Sequence, residues 1–250
     1  MALSKFRLLA AVTVFSLTLS GCSVLDGELG KVLEIGGGPN GALDERTVAA
    51  GIKEALRVGS DRTVESTSRR GGFLENRLIH IAIPEQLLKP AGIMRDFGMG
   101  NLVDELESGM NRAAELAAAE AKQVLWNAIT EMTVQDAFGI LRGGDNAATE
   151  YFRRKTGPVL RKRFHPIVES KIESIGLSRV YNRFADAYNI IDIEGKPELV
   201  ELDEYVTSRA LDGLFTVLGR EELKIREDPV ARTTELLRRV FGQDEAQSPG

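Results

Sequence analysis

The run NLVDELESGMNRAAELAAAEAKQVLWNAITEM, residues 101–132, decides the fold class. Val103, Leu106, Met110, Ala113, Ala117, Ala121, Val124 and Ala128 recur at the three- and four-residue spacing that lines one face of an α-helix. Asn101 with Asp104 makes a capping-box-like start. The pattern predicts one helix from Asn101 to about Met132. Its alanine-rich middle, residues 113–121, allows another helix to approach closely.

Working outward, helical signals continue in both directions. Asp44 caps a helix through Val58, with Val48, Ile52, Ala55 and Leu56 on one face and Gly59 as its stop. Thr133 with Asp136 opens a short helix that Gly143-Gly144 ends. Asp145 caps the next, which carries Tyr151 and Phe152 and ends at Gly157-Pro158. Pro166 predicts a kink or two short helices across residues 158–175. Ser178 caps residues 179–188, and Asp203 caps a helix reaching about Arg226. Asp228-Pro229 opens a last helix that ends near Gly242. Against this series, Leu78-Ile79-His80-Ile81-Ala82-Ile83-Pro84 reads as a short strand, with residues 189–193 as its one available mate. The expected fold is mainly α: a single multi-helix domain over residues 43–242, with at most one short two-stranded β element, and a disordered tail at 243–250.

The N-terminus has a different character. Lys5 and Arg7 precede an apolar run, residues 8–19, interrupted only by Thr13, Ser16 and Thr18. The run is too short and wrongly flanked for a spanning helix, and reads as a secretory signal covering residues 1–21. Its Leu19-Ser20-Gly21-Cys22 ending looks like a bacterial lipobox, where a diacylglyceryl group joins the Cys22 sulfur and cleavage precedes that residue. Residues 22–42 then read as a lipidated flexible tether rich in glycine, with room for a short helix at residues 25–35. Ser23, rather than an aspartate, follows the cysteine and favours the outer membrane. The expected location is the bacterial envelope, lipid-anchored and facing the periplasm.

Composition excludes several functions. The formal net charge is −5, and Lys5 and Arg7 would leave with the signal, so the mature protein offers no basic footprint for nucleic acid. Cys22 is the only cysteine. Once acylated, it leaves no thiol for a disulfide, a nucleophile or a metal. Two histidines, His80 and His165, give zinc little to bind. No glycine-rich segment carries a phosphate-loop pattern. No cofactor is expected.

Several segments together carry a family resemblance: Gly51-Ile52-Lys53-Glu54-Ala55-Leu56, Met110-Asn111-Arg112-Ala113-Ala114-Glu115, Met132-Thr133 to Asp136-Ala137, and Ala148-Thr149-Glu150-Tyr151-Phe152. They continue with Tyr205-Val206-Thr207, Ala210-Leu211-Asp212-Gly213-Leu214-Phe215, Ile225-Arg226-Glu227-Asp228-Pro229 and Val240-Phe241-Gly242. In this order, spanning nearly all of residues 43–242, they resemble the bacterial domain-of-unknown-function family numbered 4197, whose members are commonly taken as envelope proteins or lipoproteins. The resemblance implies a single domain in a Gram-negative envelope. It brings no activity, substrate or catalytic residues with it.

Cys22 is the lipidation site, and no catalytic or metal-ligating residue is assigned. As ligand or partner candidates the sequence offers Asn111, Arg112 and Glu115, one helical turn apart, with Asp136, Thr149, Arg153, Tyr205, Asp212 and Arg226. Each has a structural alternative. Asn111, Arg112 and Glu115 can link their helix to a neighbour, Asp136, Asp145 and Asp203 stand where helix caps belong, and Arg226 with Glu221 and Glu222 can lock the last two helices. Arg153-Arg154-Lys155 and Arg161-Lys162-Arg163 form the one basic concentration, suited to lipid phosphates or an acidic partner, or else balanced by Glu150, Glu169 and Glu173. The first functional expectation is a non-catalytic binding or scaffolding lipoprotein for an envelope protein partner. An apolar-ligand carrier comes second, and a carboxylate-based envelope hydrolase third.

Overall fold

Asp44 begins the fold as a helix cap. In the computed structural model, which describes residues 44–192 and 194–227, its carboxylate accepts from the Thr47 N–H and the Thr47 hydroxyl, each at 2.9 Å. It opens α1 (Glu45–Ser68). The expected signal, tether, last helix and tail lie outside the described residues, as does Cys22.

Gly59 does not stop α1. The helix continues to Ser68 because Gly59, Ser60, Thr63, Val64 and Thr67 are all buried. Burial of a whole helix face outweighs the roughly 1 kcal/mol that glycine costs inside a helix. A turn and an extended segment follow, then one 3₁₀ turn (Glu85–Leu87) and α2 (Leu88–Met94). A π-helical turn (Arg95–Met99), with Gly98 at φ 78°, leads into α3 (Gly100–Ala118). The Asn101–Asp104 cap does not form. Met99 occupies the cap position without a side-chain bond, and Asp104 pairs with Arg95 instead.

The single helix expected over residues 101–132 is broken. Glu120 N–H bonds the Ala117 carbonyl at 3.0 Å, a tightened turn that ends α3. The chain restarts as α4 (Ala121–Glu131), which lays Ala121, Leu125, Ala128 and Ile129 into the core. α5 (Val134–Leu141) opens on the expected Thr133–Asp136 capping box. α6 (Ala147–Ser174) then runs without interruption through Pro158 and Pro166. Both prolines are exposed, so the carbonyls they leave without a helical partner, at Arg154 and Lys162, lie on the side that water can reach. Gly176, at φ 73°, starts α7 (Leu177–Ile190), placing Ser178 inside the helix rather than at its cap. Asp203 likewise sits in the first turn of α8 (Leu202–Glu227).

α3 and α8 pack on each other, and each also packs on α1 and on α6. α4 and α5 lie on α1, and α7 lies on α3. Phe73, Phe152, Phe164, Phe184, Met94 and Met110 are fully buried in this arrangement, each contributing about 1.5–3 kcal/mol by leaving water. The fold is mainly α, with no strand among the described residues. No helix among them is long and apolar enough to cross a membrane.

The strand expected at residues 78–83 keeps its alternation but not its ladder. Ile79, Ile81 and Ile83 are buried, while Leu78 and Ala82 are exposed. Of the expected mate, Asn189 and Ile190 belong to the last turn of α7, and Ile193 is outside the described residues. Side chains take the place of a neighbouring strand.

Candidate functional site

Asn111 of α3 is the principal substitute. Its Oδ1 accepts from the Ile81 N–H at 2.9 Å, and its Nδ2 donates to the Ile81 carbonyl at 2.8 Å. That is the pair of bonds a facing strand residue would supply. Nδ2 also donates to the Glu107 carbonyl at 2.8 Å. Tyr205 of α8 donates its hydroxyl to the Ala82 carbonyl at 2.8 Å. His80 bridges the Leu74 carbonyl, 2.9 Å from Nδ1, and the Glu107 carboxylate, 2.6 Å from Nε2.

Glu115, one turn beyond Asn111, fastens the preceding turn. Its carboxylate accepts from the Phe73 N–H at 3.3 Å and the Leu74 N–H at 3.5 Å, and takes the Arg112 guanidinium at 3.1 Å. Glu115 is only 2% exposed. A buried carboxylate with these partners is balanced where it stands.

The remaining candidates gather elsewhere. Thr149 lies at the start of α6, whose Asn146 cap makes no side-chain bond. Glu222 of α8 does the capping from across the interface: its carboxylate accepts from the N–H groups of Ala148 and Thr149, both at 2.9 Å, and from the Thr149 hydroxyl at 2.8 Å. Arg226 clamps the same carboxylate at 3.1 and 2.9 Å and donates to the Ile140 carbonyl at 2.9 Å. Asp145 therefore does not cap α6, and the Glu222–Arg226 pair ties α8 to α5 and α6. Glu222 is the residue that sequence reading undervalued. Its signal is a carboxylate set in phase with Leu214, Leu218 and Ile225 on a buried stripe.

Asp136 is occupied by its capping box. Its carboxyl is held below the ordinary carboxylate range, first by the Thr133 hydroxyl at 2.7 Å and against a smaller effect of burial. Arg153 and Asp212 join α6 to α8 at the surface, 3.2 Å apart, with the guanidinium over the Phe215 ring at 4.8 Å. His165 meets Asp203 at 3.1 Å. No cluster of metal-ligating side chains exists among the described residues. Burial pushes all four tyrosine hydroxyls above their usual range, Tyr181 to about 12 with help from the Glu201 carboxylate.

Two cavities bear on ligand binding. An apolar one beside Ile52, Leu56, Gly59, Leu218 and Ile225 holds about 20 Å³, room for one water and no more. A groove of about 440 Å³ runs between the pinned turn, α3 and the start of α7. Leu74 and Ile175, 41% and 37% exposed, give it an apolar side. Arg70, Arg112, Glu105 and Ser108 line the polar side. Glu105 is met by Arg183 at 3.3 Å and buried Glu115 by Arg112 at 3.1 Å, which leaves Arg70 as the lining charge that no ion pair among the described residues meets. Sequence reading singled out Arg112 here and passed over Arg70.

No curated protein and no solved structure matches the chain. One family model, described as "Protein of unknown function (DUF4197)", matches residues 42–242. The matched span takes in the Asn111 to Glu115 clamp, the Thr133–Asp136 box and the Thr149, Tyr205 and Arg226 fasteners. With the match covering most of its length, the chain belongs to the DUF4197 family.

Proposed function

We propose that this protein is a non-catalytic binding lipoprotein, held to the bacterial outer membrane through acylated Cys22 and docking an envelope protein partner in the periplasm. The groove beside Arg70 and Arg112 carries the reading. It pairs a cationic rim with an exposed apolar wall, which suits a partner segment bearing an acidic residue next to apolar ones. The polar groups that would otherwise suggest chemistry are engaged in joining helices and turns. A carrier needs a cavity of several hundred Å³ closed around its ligand, and the apolar cavity described above holds one water.

Photoreactive residues at Leu74 and Ile175 in living cells test the proposal, with one at exposed Gln123 on α4 as control. The expected result is a discrete crosslinked species from the two groove positions, missing from Gln123 and lost on Arg70→Glu. Crosslinking that ignores both the position and the Arg70 charge would refute groove docking. Native mass spectrometry of the protein from its own periplasm decides the second reading, since a stoichiometric small molecule would favour a carrier.

A further inference from the structure

The six basic residues of α6 from Arg153 to Arg163 divide into two sets. Arg153 and Arg161 turn toward α8, where they meet Asp212 and Glu204. Arg154, Lys155, Lys162 and Arg163 are exposed, and none lies within ion-pairing distance of a carboxylate among the described residues. Glu150, Glu169 and Glu173, the acids expected to balance them, form no ion pair with them. In a protein of net charge −5, four cations without a close ion pair on one helix, Lys155 being near enough to Asp136 to help lower its carboxyl, mark a place for an anionic partner.

Their spacing says more. Arg154, Pro158, Lys162 and Pro166 follow one another at four-residue steps, and Lys155, Val159 and Arg163 form the adjoining row. The two rows make a single face, with a shallow depression lined by Pro158, Val159, Lys162, Arg163 and Pro166. Val159, at its centre, is 51% exposed. Such a face can rest at a headgroup layer, the apolar stems and Val159 against the surface and the cationic tips on phosphates.

We infer that this face of α6 docks on an anionic phospholipid surface. The inference rests on the anchoring reading of Cys22 in one respect. About twenty residues separate Cys22 from α1, which keeps the domain within a few nanometres of the bilayer, so a weak attraction suffices to orient it. Each cation adds roughly fivefold to the docking constant at ordinary salt. A flexible acidic protein segment would satisfy the same charges, but it offers no reason for an exposed valine between two prolines on that face.

Full-length Val159→Cys protein, labelled with a fluorophore and reconstituted into phosphatidylcholine vesicles with or without phosphatidylglycerol, provides the test. A quencher sits on the lipid headgroups, and the wild-type chain carried through the same labelling reports any free Cys22. Quenching is expected only with phosphatidylglycerol. It should vanish near 1 M salt, where the screening length is about 3 Å, and K162Q/R163Q should lower the docking constant roughly thirtyfold. Equal quenching in both vesicles, no quenching in either, or indifference to K162Q/R163Q would overturn the inference. A thiol shielded in intact cells but unquenched by anionic vesicles would overturn it in favour of an acidic protein. Flotation with pure phosphatidylcholine vesicles reports the anchor alone, so loss of anchoring and loss of docking are separately visible.

Discussion

Glu222→Gln is the sharpest probe of how this fold is held. The carboxylate supplies the N-terminal capping that α6 lacks from its own flanking residues, taking two backbone N–H groups and the Thr149 hydroxyl while the Arg226 guanidinium holds it in place. Glutamine keeps the volume and one acceptor oxygen, but its amide nitrogen must face donors. At least two charge-assisted bonds are lost, each contributing about 1.5–3 kcal/mol. Glu222 is 8% exposed, so water can replace little of what is removed. Arg226 keeps its bond to the Ile140 carbonyl, which tempers the loss. The expected destabilisation is about 2–4 kcal/mol.

For a domain of this size that lowers the melting temperature by roughly 5–15 °C. Urea unfolding of the chain from Ser23 onward, followed by helical circular dichroism, measures it. Asp212→Asn is the matched control, because the Arg153–Asp212 pair is about half exposed on both sides and should contribute no more than about 1 kcal/mol. A cycle with Thr149→Val isolates the coupling, expected at about 0.5–3 kcal/mol. If Glu222→Gln proves no more damaging than Asp212→Asn, the cross-interface cap is not holding α6 to α8.

Asn111→Ala strands both backbone groups of buried Ile81 and should cost about 2–4 kcal/mol, with hydrogen exchange at Ile81 accelerating before the rest of the protein. Gly109→Ala places a methyl 2.4 Å from Leu177 Cδ1. The overpacking should cost about 1–3 kcal/mol, and Leu177→Ala in the same chain should recover part of it. Thr133→Ala removes the capping box at a cost of about 1 kcal/mol. The contribution of Asp136 is present above the ordinary carboxylate pKa and lost as pH falls through its lowered folded value, so acid unfolding of Thr133→Ala should show less of that loss. Tyr181, raised to about 12, stabilises the fold fully below about pH 10, and that contribution disappears as pH rises toward 12. Ultraviolet titration should find phenol ionisation delayed in the native protein, and ionisation at the ordinary value would contradict the burial of all four hydroxyls.

The helical class was legible because helix signals are local. Asp44 and the Thr133–Asp136 box needed only three residues of context, and both form as expected. Boundaries failed where distant contacts overrule local preference. Gly59 lies against Leu218, Glu221 and Ile225 of α8, which carries α1 past it. The periodic run of residues 101–132 holds its phase in sequence, yet the tightened turn at Ala117–Glu120 redirects α4 onto α1. Asp145 looked like a cap because its position is right, and the real cap comes from Glu222, 74 residues away from Ala148. A strand was expected at residues 78–83 from alternation that is real, but no sequence pattern announces that Asn111 and Tyr205 will serve as its neighbours.

The polar residues that join the helices are those with the least freedom, whether the sequence singled them out, as with Asn111 and Glu115, or undervalued them, as with Glu222. Asn111, Glu115 and Glu222 are buried, and each already satisfies groups that would otherwise be stranded. A ligand that took any of these side chains would leave backbone donors unpaired or a charge uncompensated, a loss of about 3–5 kcal/mol for a broken buried pair. Binding there would have to outbid the fold itself. Recognition without that penalty belongs to side chains that already face water, and the cations that do so without a close ion pair lie on different elements: Arg70 at the groove, and Arg154, Lys155, Lys162 and Arg163 on α6. Arg70→Glu should leave vesicle docking intact, and neutralising Lys162 and Arg163 should leave the groove crosslinks intact. Loss of both functions from either change would mean that the two surfaces serve one partner, and the separate assignments would have to be withdrawn.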